Sequence, residues 1–127
     1  MKEVRYLIDA DSAIFATTAQ HPSLRARLAT LSPGEIGLSA ISYAEIALGI
    51  ELGKPPTPKA LAAFVSVVPV QPFDQAAARA YADLPFKRAR FDRLLAAHAL
   101  SIGATIVTNN EGDFADIPGL KVENWTQ

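Results

Sequence analysis

A three-layer α/β/α sandwich around a mostly parallel central sheet is the fold this sequence predicts, and three observations predict it. Short apolar runs alternate with helical patterns along the chain, as strands joined by crossover helices do. The first run, Tyr6-Leu7-Ile8, has no polar alternation, which fits a central strand covered on both faces. At 127 residues, half of them apolar, the chain is long enough to bury a core as one domain without staples.

The elements follow in order. Val4 to Ile8 reads as a strand ending at Asp9. Ser12 to Ala19 reads as a helix interrupted at His21-Pro22, and Ser23 to Leu31 as a second, with Leu24, Leu28 and Leu31 at helical spacing. Pro33-Gly34 turns the chain into a strand over Ile36 to Ser39. Ser42 opens a helix that Gly53 stops, and the proline-rich segment from Lys54 leads to another helix starting near Pro58. An extended piece around Pro69 belongs at a sheet edge, because proline cannot donate to a ladder. Asp74 is placed to cap an alanine-rich helix over Gln75 to Leu84. Phe91 to Ile102 is a helix apolar nearly all round, as expected of one buried on several sides. A strand over Ala104 to Thr108, a polar turn over Asn109 to Asp113 and a last strand around Val122 complete the order.

Composition narrows the function. Without cysteine there are no disulfides or thiolate metal sites, and a reducing, cytoplasmic setting fits. Acidic residues break the start MKEVRYLIDADSAIF too early for a signal peptide or a membrane span. A net charge of -1 gives no global pull toward nucleic acid. Local charge is less even: Lys87, Arg88, Arg90 and Arg93 surround Asp92. Such a run is ordinarily a solvated loop and helix start, but beside a metal-type carboxylate a phosphate-binding rim is the better reading.

Carboxylates carry the chemistry. In parallel sheets, sites form beyond the C-terminal ends of the strands. Asp9 directly follows a buried strand, where an unpaired charge is costly. It also stands where a helix cap belongs, a task Asp11 or Ser12 would do equally well. Ser42-x-x-Glu45 has the form of a capping box, and a carboxylate in a first helical turn is held ionised by the helix dipole. Asp92 opens the most buried helix, with Ala96 and Ala99 on its face. After the strand ending at Thr108, the loop offers Asn109, Asn110, Glu111 and Asp113, and physics alone does not choose among them. Thr108 suits a hydroxyl that orients a ligating carboxylate or water. His98 and His21 are weak candidates, because a lone histidine in a helix otherwise made of Leu, Ala and Ile is more often a satisfied core residue. All-oxygen ligands point to Mg²⁺ or Mn²⁺, whose usual work is to activate water at a phosphoryl centre. Zincin, dinucleotide, P-loop and nucleophile-elbow motifs are absent from the sequence.

Four stretches together resemble a PIN-domain ribonuclease, specifically the toxin of a VapBC-type toxin–antitoxin pair. They are Tyr6-Leu7-Ile8-Asp9, then Ile41-Ser42-Tyr43-Ala44-Glu45-Ile46, then the helix from Phe91-Asp92-Arg93 to Leu100. The fourth runs from Ile106-Val107-Thr108-Asn109-Asn110 through Asp113-Phe114 to Val122-Glu123-Asn124-Trp125. The resemblance spans nearly the whole chain. It implies a Mg²⁺- or Mn²⁺-dependent endoribonuclease that cuts structured RNA, often tRNA, works as a homodimer, and is blocked by a cognate antitoxin that also binds promoter DNA. It implies Asp9, Glu45 and Asp92 as core metal-binding acids, Asp113 as the fourth acid and Thr108 as its polar neighbour. Two departures stand out. Asp11 occupies a position where the family usually has asparagine. Pro85-Phe86-Lys87-Arg88-Ala89-Arg90 replaces a longer glycine-containing loop, which bears on RNA choice more than on hydrolysis.

Three rivals remain at this level. A nuclease or phosphatase acting on DNA or phosphomonoesters would use the same acids. A noncatalytic regulatory domain would use them only as helix caps. A receiver domain would want a lysine near a late strand end, where this chain has asparagines.

Overall fold

Five strands, every adjacent pair parallel, form one sheet in the computed structural model, which describes residues 4–85 and 90–127. The strands are β1 (Tyr6–Ile8), β2 (Ile36–Ser39), β3 (Val70–Gln71), β4 (Thr105–Val107) and β5 (Val122–Glu123). Their spatial order is β3-β2-β1-β4-β5. Six helices connect them: α1 (Ala10–Thr17), α2 (Pro22–Ala29), α3 (Ala40–Glu51), α4 (Pro58–Val67), α5 (Gln75–Tyr81) and α6 (Arg90–Ile102). A 3-10 helix (Glu111–Phe114) precedes β5.

Strand alternation divides the core. Ile8 packs with Leu24, Ile46 and Leu61 from α2, α3 and α4, whereas Leu7 packs with Leu95, Ala96 and Ala99 from α6. A strand with both neighbouring residues wholly buried needs a helical layer on each face, and this one has both. The three-layer expectation is therefore met, and β3 lies at the edge as Pro69 required.

The start of α3 differs from expectation. Ser39, the last residue of β2, is the N-cap and accepts the Ile41 N–H at 3.1 Å. The strand runs straight into the helix without a loop, so Ser42 is internal and wholly buried, and the capping-box reading is corrected. Glu45 consequently sits in the second turn, where the dipole acts less strongly.

The sheet positions a site through its order. From β1 the chain moves outward to β2 and β3, then returns to lay β4 on the other side of β1. The reversal falls between β1 and β4, and the crevice beyond their C-terminal ends is where parallel sheets bind ligands. Asp9 follows β1 there and Thr108 follows β4.

Candidate metal centre

Asp9, Asp11, Glu45, Asp92 and Asp113 line one notch of about 170 Å³, together with Thr108, Asn110, Ala10, Leu95 and Phe114. These acids come from four separate places in the sequence, and the switch point gathers them. Among the described residues lining the notch, none is lysine or arginine.

Asp9 has two duties. Its Oδ1 accepts the Ser12 N–H at 2.8 Å, capping α1, and its backbone N–H donates to the Val107 carbonyl at 2.9 Å. Burial raises its pKa above the usual carboxylate range, while the Thr108 hydroxyl and the Ser12 backbone and side chain pull it back. The Thr108 oxygen in turn accepts the Asn110 N–H at 3.0 Å, which folds the loop over the strand end. Capping and site membership coexist in one carboxylate.

Glu45 is pushed up to about 7, first by burial and then by the charges of Asp92, Asp11 and Asp9. Asp92 is raised by burial and by Asp113, Asp9 and Asp11, against an opposing pull from Arg93. Carboxylates whose charge raises a neighbour's pKa are close enough to repel it, and cations among them offset that repulsion. Hard carboxylate and hydroxyl oxygens without sulfur or imidazole suit Mg²⁺ or Mn²⁺. The donor set therefore fits a divalent ion, although among the described residues no three acidic or histidine groups are already arranged to grip one.

The basic rim fares differently. Lys87 and Arg88 lie outside the described residues, as does the side chain of Arg90. For Arg93 the rim expectation is corrected. It is only 3 % exposed, and its Nη2 donates to Asp116 Oδ1 at 2.9 Å. On α6 its side chain turns inward toward the segment after the 3-10 helix, so it braces the loop bearing Asp113 instead of reaching for solvent phosphate.

Two features were not legible beforehand. Asn110 lines the notch, yet the sequence had it only as one of several loop residues. His98 is buried, as expected of a core histidine, but it is hydrogen-bonded to Ser39 at the end of β2, a pairing no local pattern signals. A larger cavity of about 440 Å³ lies elsewhere, lined by Leu28, Phe64, Val67 and other mostly apolar residues of α1, α2 and α4. None of its lining residues is a carboxylate, so it lacks the donor set that lines the smaller notch.

Comparison with known proteins identifies the family and the fold. Residues 6–120 match the PIN domain family. The chain is 30 % identical to a tRNA(fMet)-specific endonuclease VapC of Shigella flexneri, covering 97 % of this chain and 99 % of that one. It is similar in structure to VapBC2 of Rickettsia felis bound to a promoter DNA fragment, with a TM-score of 0.83, 25 % identity, and coverage of 96 % and 99 % of the two chains. A DNA-bound VapBC from Salmonella typhimurium superposes with a TM-score of 0.80 at 28 % identity, over 96 % and 98 %.

Proposed function

The chain belongs to the PIN domain family, and from that premise we propose that it is a divalent-metal-dependent endoribonuclease toxin of the VapBC type. Its substrate is structured RNA, with tRNA first. Its partner is a VapB-like antitoxin, through which the pair engages promoter DNA. The observation that carries the reading is the convergence of Asp9, Glu45, Asp92 and Asp113 on one notch lacking its own cation among the described residues. The similar chain from Shigella flexneri is named for cutting tRNA(fMet), and the structural neighbours are antitoxin complexes on DNA.

Asp9, Glu45, Asp92 and Asp113 would hold Mg²⁺ or Mn²⁺. A bound ion of this kind supplies an activated water and neutralises charge on the phosphoryl oxygens. Thr108 would steady Asp9 by donating to it, a bond that lowers the carboxyl's pKa against the larger effect of burial. Asp11 adds a further anion, raising the demand for cations before a phosphate can approach. Asn110, with an amide that both donates and accepts, is placed to meet a substrate oxygen or an ordered water. Lys87, Arg88 and Arg90 belong by sequence to the stretch leading to Asp92 and would steady flanking phosphates without specifying bases.

A homodimer is part of the reading. Tyr43, Leu48 and Leu52 of α3 with its C-cap, and Phe91 and Ile102 of α6, leave apolar side chains exposed. Among the described residues no helix is long and apolar enough to cross a membrane.

The experiment is a side-by-side digestion. Purified chain is offered tRNA, DNA of matched sequence and a phosphomonoester, with Mg²⁺, with Mn²⁺ and with chelator. Cleavage of tRNA alone, and only with metal, is expected. Equal cleavage of DNA, or cleavage persisting in chelator, would contradict the reading.

A further inference from the structure

Ser39 and His98 are both buried polar residues on the far side of β2 from the large apolar core, and neither lines the notch. The Ser39 oxygen lies 2.8 Å from His98 Nδ1 while accepting the Ile41 N–H. A hydroxyl that caps the Ile41 N–H with one lone pair still has a second lone pair and a proton, so Ser39 and the neutral ring form this bond in either tautomer. Burial favours that neutral ring by lowering its pKa, against Asp74, which raises it. Phe73 packs edge-on at 5.7 Å and holds the ring plane.

The bond joins the start of α3 to the middle of α6. Among the described residues, no other side-chain hydrogen bond links these two elements. Glu45 lies six residues after Ser39, and Asp92 six residues before His98. Two helical arms of equal length, about 9 Å each, thus run from one tie point to the two acids, which meet again in the notch. Apolar packing between helices is non-directional and allows sliding, whereas a hydrogen bond sets distance and angle.

We propose that His98 is a positioning residue, whose bond to Ser39 fixes α6 against α3 and so sets the separation of Asp92 from Glu45. This rests on the assignment of those two acids to a metal site. A histidine that merely fills the core would change stability alone.

Two variants separate these roles. His98→Asn keeps an amide that accepts or donates close to the position of Nδ1, and His98→Leu fills similar volume without one. The Mn²⁺ dependence of the thermal-unfolding midpoint, referred to each variant's own metal-free midpoint, gives the apparent affinity. Kinetics on the cleaved RNA give kcat and KM. In His98→Leu we expect Mn²⁺ affinity about 10–100-fold weaker and a reduced kcat with KM for RNA nearly unchanged, most of the loss being recovered in His98→Asn. Should His98→Leu fail to fold, Ser39→Ala removes the same bond from the other end; because it also removes the Ile41 cap, its metal-free midpoint falls as well, and only the Mn²⁺ shift above that midpoint is compared. Folded His98→Leu or Ser39→Ala with wild-type Mn²⁺ affinity and kcat would overturn the proposal, as would equal impairment of His98→Asn and His98→Leu. A wild-type protein whose midpoint ignores Mn²⁺ would instead remove the metal assignment itself.

Discussion

The N-termini of α1 and α5 are built alike. Asp9 caps the first by accepting the Ser12 N–H at 2.8 Å, and Asp74 caps the second by accepting the Ala77 N–H at 2.9 Å. Both residues are extended in backbone, and both satisfy an otherwise orphaned donor three residues on. Only their surroundings differ. Asp74 is exposed, whereas Asp9 stands at the end of a central strand and faces carboxylates delivered by α3, α6 and the loop after β4. Local structure explains why an aspartate belongs at either position. Only the sheet's reversal explains why one of them belongs to a cluster of carboxylates.

The widest divergence should appear in activity. Asparagine keeps the capping oxygen, so Asp9→Asn and Asp74→Asn should both fold. Asp9→Asn should lose more than about 100-fold of RNA cleavage, exceeding the usual cost of a merely supporting group. Asp74→Asn should stay near the parent rate in the same gel assay. Full activity in Asp9→Asn would erase the distinction between the two caps.

A smaller effect concerns stability and pH. Glu45 has its pKa raised to about 7 from an ordinary 4.5, so the folded state binds the proton more tightly than the unfolded chain does. Stability is then greatest below about pH 4.5 and falls as pH rises toward 7. Asp9 and Asp92, also raised, act in the same direction. Without metal, Glu45→Gln should be more stable than the parent by about 1–2 kcal/mol at pH 8, after allowance for solvent screening. The advantage should shrink toward zero at pH 4. Urea midpoints in chelator at the two pH values measure it, and a parent protein that gains stability on going from pH 4.5 to 7 would contradict the mutual repulsion.

The smallest effect isolates the cap itself. Asp74→Ala should cost about 1 kcal/mol from lost capping. Asp9→Ala loses the same bond but also removes an anion from the cluster, so its net cost should be lower in metal-free protein. Equal losses by chemical denaturation would mean that the cluster adds nothing to the energetics of Asp9.

These contrasts show what was legible beforehand. Apolar runs, Pro69 at an edge and Asp74 before an alanine-rich helix are local signals, and the structure follows them. The start of α3 was misread because Ser42-x-x-Glu45 has the form of a cap. The actual cap, Ser39, is the last residue of a strand, where sequence shows no break. Asp113 could be chosen over its loop neighbours only through family resemblance, since a loop has no periodicity to read. Arg93 looked like part of a basic surface because charge is visible in sequence and side-chain direction is not. Its burial against Asp116 depends on where the loop after β4 packs on α6. The tie between Ser39 and His98 depends on sheet order in the same way.

The central claim is that carboxylates distant in sequence form one divalent-cation site. Anomalous diffraction from crystals soaked in Mn²⁺ tests it most directly. The account predicts a peak in the notch within about 2.1 Å of oxygens from Asp9 and Asp92, with Glu45 drawn toward it. No anomalous peak in that notch at millimolar Mn²⁺, with the acids still lining it, would contradict the claim.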